Sequence, residues 1–559
     1  MAFISVDSVY LKPALDEFTK LLAALVGPHG HSCLIRSPVD SVTLTSSSSR
    51  LISNIPVGSP LLQFALQCIR SQIERFGDGG LYCGILLSKL MIRLIDSCIP
   101  RHSSCSILSE LQNIVLSQLR NSEQLLLSIN LDSVAPLMAV AQSVLLSKRG
   151  NYEGTDPVHL AHINTQISLL VQAFLESEAS IEKVVLCIRK KVDKQCLLNG
   201  VLYPCADEEH VVLKGMSWNS ASLLLFSVML TDKIDCKEKE LPGVDYLQQG
   251  KAQFEAAEIF IEKAISCGIN IVACQKVVHP TLILKMKRKG ILVLQRLGKR
   301  MAEAVEILSG AVPVSNLHIS QLDSLPQLKG SLKKVQHFSD NGGNFVFMEG
   351  APGSGICTVL LGSHLLESCS ELEIVAHQVL TALKQVIQDT AVCPGGGCTE
   401  MHLCITLWKE VHRRREDLCF KLQCSASQLY TVVKWFQEGL LLASGLHSEA
   451  GSLAFDSVYY HAWRGSHSKT MIVEATTCHC GLISSDAVVR LNGSWSIFTL
   501  EHINYVCTDL NDTAQKITFG PSIAGSVPVH DVCSSKVGAI TVAVESAIAI
   551  TDIGAIITS

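Results

Sequence analysis

Three short glycine segments carry the residues best suited to chemistry: Gly27-Pro28-His29-Gly30, Gly77-Asp78-Gly79 and Gly395-Gly396-Gly397, each beside a helical hydrophobic pattern. Exposed backbone amides and the positive end of a helix favour phosphate at such places. Asp78 adds a carboxylate oxygen of the kind that holds magnesium. Each segment taken singly also suits a helix cap or a close helix contact, because glycine enters left-handed backbone freely. A fourth segment, Gly350-Ala351-Pro352-Gly353-Ser354-Gly355, begins like a phosphate-binding loop. That loop needs Lys and then Ser or Thr after its last glycine, and Ile356 and Cys357 stand there instead. A turn between strands over 345–348 and 357–361 is the expectation.

Cysteine and histidine supply the other candidate chemistry. Cys393, Cys398, His402 and Cys404 lie close together, as do Cys478, His479 and Cys480, and thiolate with imidazole is a zinc donor set. Neither spacing is that of a finger or ribbon, and none of the 22 cysteines stands in a C-x-x-C pair. Zinc and thioredoxin-like exchange are therefore not expected. The first residues lack the basic segment, apolar stretch and small-residue cleavage site of a secretory leader. The cysteines are expected to be reduced thiols, most of them small core hydrophobes.

Length and composition allow a large scaffold for these segments. At roughly 150 residues per domain, 559 residues make about three to four domains. Lys plus Arg is 46 against 51 for Asp plus Glu, a net charge of −5, so nothing draws the chain to nucleic acid. Charged residues are 17% and hydrophobic ones 48%, the opposite of a disordered composition.

The N-terminal third predicts helices punctuated by the glycine segments. Pro13 in a first turn, then Leu15, Phe18, Leu21, Leu22 and Leu25, mark one helix stopping at Gly27. A second starts near Pro60 and stops before Gly77, and Ile85, Leu86, Leu90, Leu94 and Ile95 mark a third. The middle alternates instead, with strands over 223–230, 269–274 and 291–294 and a helix over 251–267. Helical patterning resumes over 371–387, which predicts an α+β chain with an α/β domain inserted into a helical one. On the 251–267 helix, Phe254 and Ile259 are candidates for partner or client contact, while Phe260 is expected to pack inward. The apolar stretch 537–559 carries Glu545 and Asp552 two turns apart on one face. An acid near a bilayer centre costs about 2.5 to 3.5 kcal/mol, so a core helix is expected and no membrane span.

The joint order of these motifs resembles the group II chaperonin family, the subunits of archaeal thermosomes and of the eukaryotic cytosolic chaperonin ring. Members carry GPKG, NDG, a His-Pro pair, GDGTT and, much later, PGGG followed by an acid. This chain offers residues 27–30, Pro60, Gly77-Asp78-Gly79 and Pro394-Gly395-Gly396-Gly397-Cys398-Thr399-Glu400, with Cys274-Gln275-Lys276 matching a CQK at a strand end. Cys274 through Pro280 and Gly395 through Glu400 look like a divergent vertebrate branch, the McKusick–Kaufman and Bardet–Biedl syndrome chaperonin-like proteins.

The resemblance implies a chaperonin subunit with a helical equatorial domain (1–145 and 395–559), a small intermediate domain (146–214 and 349–394) and an inserted α/β apical domain (215–348). It implies nucleotide binding by Gly27, Pro28, Gly30, Gly77, Asp78, Gly79, Gly395, Gly396 and Gly397, with ATP and with magnesium at Asp78. It also implies a cytoplasmic, centrosome or basal-body location. Its implied partners are related chaperonin-like proteins, cytosolic chaperonin subunits and components of the BBSome, a ciliary trafficking complex.

Two departures bear on activity. Ser46, Ser47 and Ser48 align with NDG, so Ser47 stands where active members carry an acid. In the helix before PGGG, His377-Gln378-Val379-Leu380 aligns with His-Asp-Ala-Leu, whose Asp activates the attacking water. An amide cannot take that proton. A chaperone-like assembly factor without hydrolysis is the expectation. The competing reading, an ATP-driven folding chaperonin, requires acids from elsewhere, such as Asp389 or Asp486.

Overall fold

A computed structural model of the chain describes residues 2–4, 8–27, 30–36, 42–121, 125–129, 133–148, 157–190, 192, 194–205, 217–232, 246–318, 322, 324–341, 343–351, 353–363, 366–445, 460–464, 495–499, 529–553 and 556–558. Both ends of the sequence belong to one compact unit, Met1–Ile167 with Ile374–Ser559, and the middle, Ser168–Glu373, forms a second.

In chain order the first unit opens with β1 (Ala2–Ile4), α1 (Ser8–Ala23), the antiparallel pair β2 (Cys33–Arg36) and β3 (Val42–Thr45), α2 (Ser48–Asn54), α3 (Pro60–Phe76), α4 (Gly80–Asp96) and α5 (Arg101–Asn121). β4 (Leu127–Ser128), α6 (Ala135–Leu146) and α7 (Pro157–Glu176) follow. α3 starts as its sequence dictates, with Ser59 at the N-cap and Pro60 in the first turn, where a missing N–H costs nothing. α1 begins earlier than expected, at Ser8, so Pro13 lies inside the helix rather than in its first turn. α4 is the central helix: Cys83, Ile85, Leu86, Leu87, Leu90 and Met91 are all buried. It packs against α1 and α3 in the same core.

Among the described residues the second unit holds three sheets. β5 (Val184–Lys190) and β6 (Cys196–Leu198) flank a later strand, β15, and β7 (Val201–Pro204) and β8 (Ser217–Trp218) are the outer strands of the order β7-β14-β13-β8. The α/β layer is built from β9 (Ala221–Phe226), α8 (Tyr246–Ser266), β10 (Ile271–Cys274), α9 (Pro280–Arg288), β11 (Leu292–Leu294), α10 (Gly298–Ser309) and, after the short α11 (Leu325–Leu328), β12 (Gly330–Leu332). Strands β9, β10 and β11 are parallel, in the order β11-β10-β9-β12. Side chains alternate along β9, so Leu224 and Phe226 join one core with Phe260 and Ile261 of α8. Leu223 and Leu225 join the opposite core with Val305 and Leu308 of α10. Two covered faces explain why these strands read as continuous apolar runs. β13 (Lys334–Asp340), β14 (Gly343–Glu349) and β15 (Cys357–Ser363) complete the unit.

α12 (Leu366–Asp389) leads to β16 (Ala391–Pro394), α13 (Cys398–Arg413), α14 (Arg415–Leu422) and α15 (Ala426–Ala443) in the first unit. A capping box of Ser425 and Gln428 starts α15. The chain then has β17 (Tyr460–Arg464) paired with β18 (Trp495–Thr499), β19 (His530–Val532), α16 (Cys533–Thr551) and β20 (Ile556–Thr558). β19, β16 and β4 form one sheet in that order.

The C-terminal stretch departs from a single helix over 537–559. α16 starts four residues earlier and ends at Thr551, and residues 556–558 pair with β1 as a strand, Ile4 opposite Ile556. That strand exists through a partner at the other end of the chain, which local periodicity cannot show. α16 is long and apolar enough to cross a membrane by length and composition. Ala539, Ile540, Ala543, Val544, Ala547 and Ile550 nevertheless lie in the helical core.

Candidate functional site

The glycine segments sit at helix junctions of the first unit. Gly77 ends α3 in left-handed backbone (φ 73°), its N–H donating to the Ile73 carbonyl at 2.8 Å. Gly79 (φ 81°) is the N-cap of α4, and among the described residues no side chain caps that helix start. A Cβ on Gly79 would stand 2.9 Å from Gln72 Nε2, and one on Gly80 would stand 2.6 Å from Ile73 Cδ1 and 2.7 Å from Ser48 Oγ. Between them Asp78 is half-buried, and its carboxylate makes no hydrogen bond or ion pair among the described residues.

The second junction repeats the geometry. Gly396 (φ 63°) and Gly397 (φ 86°) lead into α13, again with no side-chain cap. Gly395 donates its N–H to the Val529 carbonyl at 2.9 Å, and Thr399 Oγ1 donates back to the Pro394 carbonyl at 2.7 Å. The third segment closes α1: Gly27 has φ 80°, and Gly30 N–H donates to its carbonyl at 3.0 Å. α1 meets α4 closely, with Leu22 against Gly84. Pro28 lies outside the described residues.

Ser47 and Gln378 approach the 77–80 loop from different elements. Ser47 is fully buried at the N-cap of α2. Its N–H donates to Thr45 Oγ1 at 3.0 Å, and its hydroxyl shares a 3.0 Å hydrogen bond with that of Ser49. The next residue, Ser48, lies against Gly80. On α12, Gln378 Nε2 donates to the Gly77 carbonyl at 3.2 Å and Gln385 Nε2 to that of Phe76 at 3.0 Å. Three buried oxygens around this loop accept or donate nothing among the described residues: Ser48 Oγ, Gln72 Oε1 and Gln378 Oε1. Buried polar atoms in native folds are normally satisfied, so such a cluster marks a place for water, ion or ligand.

A buried ion cluster supports both helix starts. Lys536 Nζ lies 2.5 Å from Glu400 Oε1 and 2.7 Å from Asp531 Oδ2, with the Glu400 side chain only 1% exposed. Burial works against the Lys536 charge, but Asp531 and Glu400 more than offset it and hold its pKa well above the ordinary value. Burial, and then the neighbouring Glu400, push the Tyr82 phenol well up. The adjacent Ser535 takes a hydrogen bond from Gln72 of α3 at its carbonyl (3.0 Å), and a Cβ on Gly79 would stand 3.2 Å from its Oγ, so the start of α16 lies against the 77–80 loop as well. Sequence reasoning missed Lys536, since nothing near it in the chain announces a partner 136 positions away.

The other candidates separate. Cys404 Sγ reaches the Gln437 carbonyl at 3.8 Å, whereas Cys393 Sγ reaches that of Asp531 at 3.5 Å. His402 is buried, and burial, helped by Lys409, lowers its pKa to about 4. No group of three metal-ligating side chains occurs among the described residues. Residues 478–480 and Asp486 fall outside them. Asp389 is exposed at the end of α12, eleven residues and about 16 Å of helix beyond Gln378. The 350–355 segment joins β14 and β15, which belong to different sheets. On α8, Phe254 packs edge-on to His279 with centroids 4.8 Å apart, and Ile259 is 45% exposed, while Phe260 and Ile261 are buried.

The sequence profile of the TCP-1/cpn60 chaperonin family matches residues 18–431, well over half of the chain. The chain belongs to the TCP-1/cpn60 chaperonin family. Over 519 residues this chaperonin is 23% identical to the molecular chaperone MKKS of Mus musculus, covering 87% of the chain and 86% of that protein. It is 25% identical over 400 residues to thermosome subunit beta of Desulfurococcus mucosus, covering 70% and 77% respectively. Its fold matches that of a group III chaperonin crystallised in the open state, with a TM-score of 0.60 and 18% identity over 98% of both chains. In this chaperonin Gly27, Gly77, Gly79, Gly396 and Gly397 have left-handed backbone, and the Ser47 hydroxyl and Gln378 amide are engaged with the protein itself.

Proposed function

We propose that this chaperonin-family protein is a chaperone-like assembly factor that binds nucleotide without turning it over. The observation that carries the reading is the hydrogen bond from Gln378 to the Gly77 carbonyl. The side chain at the position of the water-activating acid is a donor committed to the phosphate-type loop, and a carboxylate could not make that bond.

ATP with magnesium fits this site in part. The uncapped amides of α4 and α13 and the unpartnered oxygens around 77–80 suit phosphates and bound water. Asp78 would hold the magnesium, which when bound would neutralise phosphate charge. The acids needed to position and deprotonate water are absent at 47 and 378. Losing one general base costs about 10²- to 10⁴-fold.

For partners, the support is the relation to MKKS and thermosome subunits together with the 274–280 and 395–400 motifs. We place this protein in the cytoplasm near the centrosome or basal body, acting with related chaperonin-like proteins and cytosolic chaperonin subunits on the BBSome. Within its second unit we assign the sheet layer of β9 to β12 as apical, and Phe254 and Ile259 as partner-facing. Co-purification of the tagged chain from ciliated cells tests the assignment. Recovery of chaperonin subunits with a BBSome component is expected, and recovery of a stable solitary monomer would overturn it.

A further inference from the structure

We propose that Cys419 and Cys424 form a dithiol modification site that reacts with oxidised glutathione and closes to an intrachain disulfide across the turn between α14 and α15. The backbone of that turn sets the pair. Gln423 is left-handed (φ 48°), its N–H donates to the Phe420 carbonyl at 3.4 Å, and the Cys424 N–H donates to the Cys419 carbonyl at 3.1 Å. A left-handed residue beneath nested five-to-two and six-to-one bonds is the Schellman ending of a helix, in which the side chains of the first and sixth residues meet. Apolar side chains commonly fill those two places, and here both are cysteines.

The other side of the turn holds Cys424 a second time. Ser425 is the N-cap of α15 and closes a capping box with Gln428, which makes Cys424 the residue before the cap. A side chain there packs toward the fourth residue of the helix it precedes, which is the fully buried Leu429. Both cysteines are half-buried against the helical core, within reach of a solvent-borne thiol reagent.

The separation suits a disulfide, which spans Cα atoms about 4.4 to 6.8 Å apart. Residues joined N–H to carbonyl commonly stand in that range, about 5.5 Å apart in an antiparallel pair. Burial, and then Cys419 through its charge and a side-chain hydrogen bond, raise the Cys424 pKa, in keeping with facing sulfurs. Two sets of backbone and cap bonds already order this turn, so closing the bond fixes little that is still free.

The exchange balances with glutathione disulfide as the oxidant. One cysteine thiolate attacks a glutathione sulfur, the S–S bond breaks, and a mixed disulfide and one glutathione thiolate form. The facing cysteine gives up its proton and attacks the protein sulfur of the mixed disulfide, and the second glutathione leaves as thiolate. The two glutathione thiolates take up the two protons that the cysteines release. The protein has lost two electrons and two protons, and glutathione disulfide has become two glutathione thiols.

Equilibration of the reduced full-length chain with glutathione disulfide, followed by acid quench, alkylation and a non-reducing tryptic map, tests the pair. Lys421 lies between the two cysteines, so trypsin divides them, and the 416–421 and 422–434 peptides stay joined only through a disulfide. Exposed Cys98 reports that oxidant was sufficient. The joined peptide is expected, with little glutathione on either half. In Cys424→Ser, and likewise in Cys419→Ser, the glutathione adduct of the remaining cysteine should rise several-fold over the unaltered protein, since no second thiol resolves it. Alanine at either position, which keeps a small apolar side chain, gives the same readout if the serine variant does not fold. Recovery of Cys419 and Cys424 as free thiols or as separate glutathione adducts while Cys98 is oxidised, or linkage of either to a different cysteine, overturns the proposal.

Discussion

Gln378 and Gly77, 301 positions apart, meet through a 3.2 Å hydrogen bond from a buried amide to a backbone carbonyl. Gln385 makes the same kind of bond to Phe76 two turns further along α12. The carbonyls that α3 leaves unsatisfied at its end are thus capped by a second helix.

Gln378→Asp should therefore destabilise the chain. The shorter carboxylate cannot donate, and it leaves the Gly77 carbonyl without its partner, which costs about 1 to 3 kcal/mol. Thermal or denaturant unfolding checks this. A variant as stable as the parent would show that the bond contributes nothing.

Lys536→Met should cost more, about 3 to 5 kcal/mol, because it strands the Glu400 carboxylate in the core. The double variant Lys536→Met with Glu400→Leu should recover much of that loss, since no buried charge remains. Chemical denaturation of the three proteins measures the difference.

His402 sets a pH dependence. It is neutral and buried in the folded chain with a pKa near 4, below the ordinary 6.5, so the unfolded chain binds the extra proton between those values. Its contribution is fully present above about pH 6.5 and is lost as pH falls toward 4, on the order of 3 kcal/mol in all. The parent should lose stability relative to His402→Leu as pH falls through that range, and denaturation of both proteins across it checks this.

Ile259 and Phe260 adjoin on α8 but face differently. Ile259→Ser should change stability by no more than about 0.5 kcal/mol, as exposed substitutions usually do. Phe260→Ser should cost about 3 to 5 kcal/mol by emptying a core position. If Ile259 faces a partner, its polar variant also lowers partner recovery while remaining folded.

Much of this architecture was legible because it is written locally. Pro60 marked the start of α3, and Gly77 and Gly79 marked the junction into α4 through the left-handed backbone they require. The alternating middle gave the parallel strands because both faces are covered. What stayed hidden depends on distant partners: β20 on β1 and Lys536 on Glu400. Neither pair leaves a periodicity or a spacing to read. Ser47 and Gln378 drew notice only through the resemblance to the chaperonin pattern, and their engagement with Thr45, Ser49 and Gly77 shows only in the fold.

Nucleotide binding without turnover is tested by measuring both on one preparation. With radiolabelled ATP and magnesium, stoichiometric retention of intact ATP and phosphate release at the buffer background are expected, with Asp78→Ala weakening retention when magnesium is present. Sustained phosphate release at rates typical of active chaperonins would contradict it, as would the absence of any retained nucleotide.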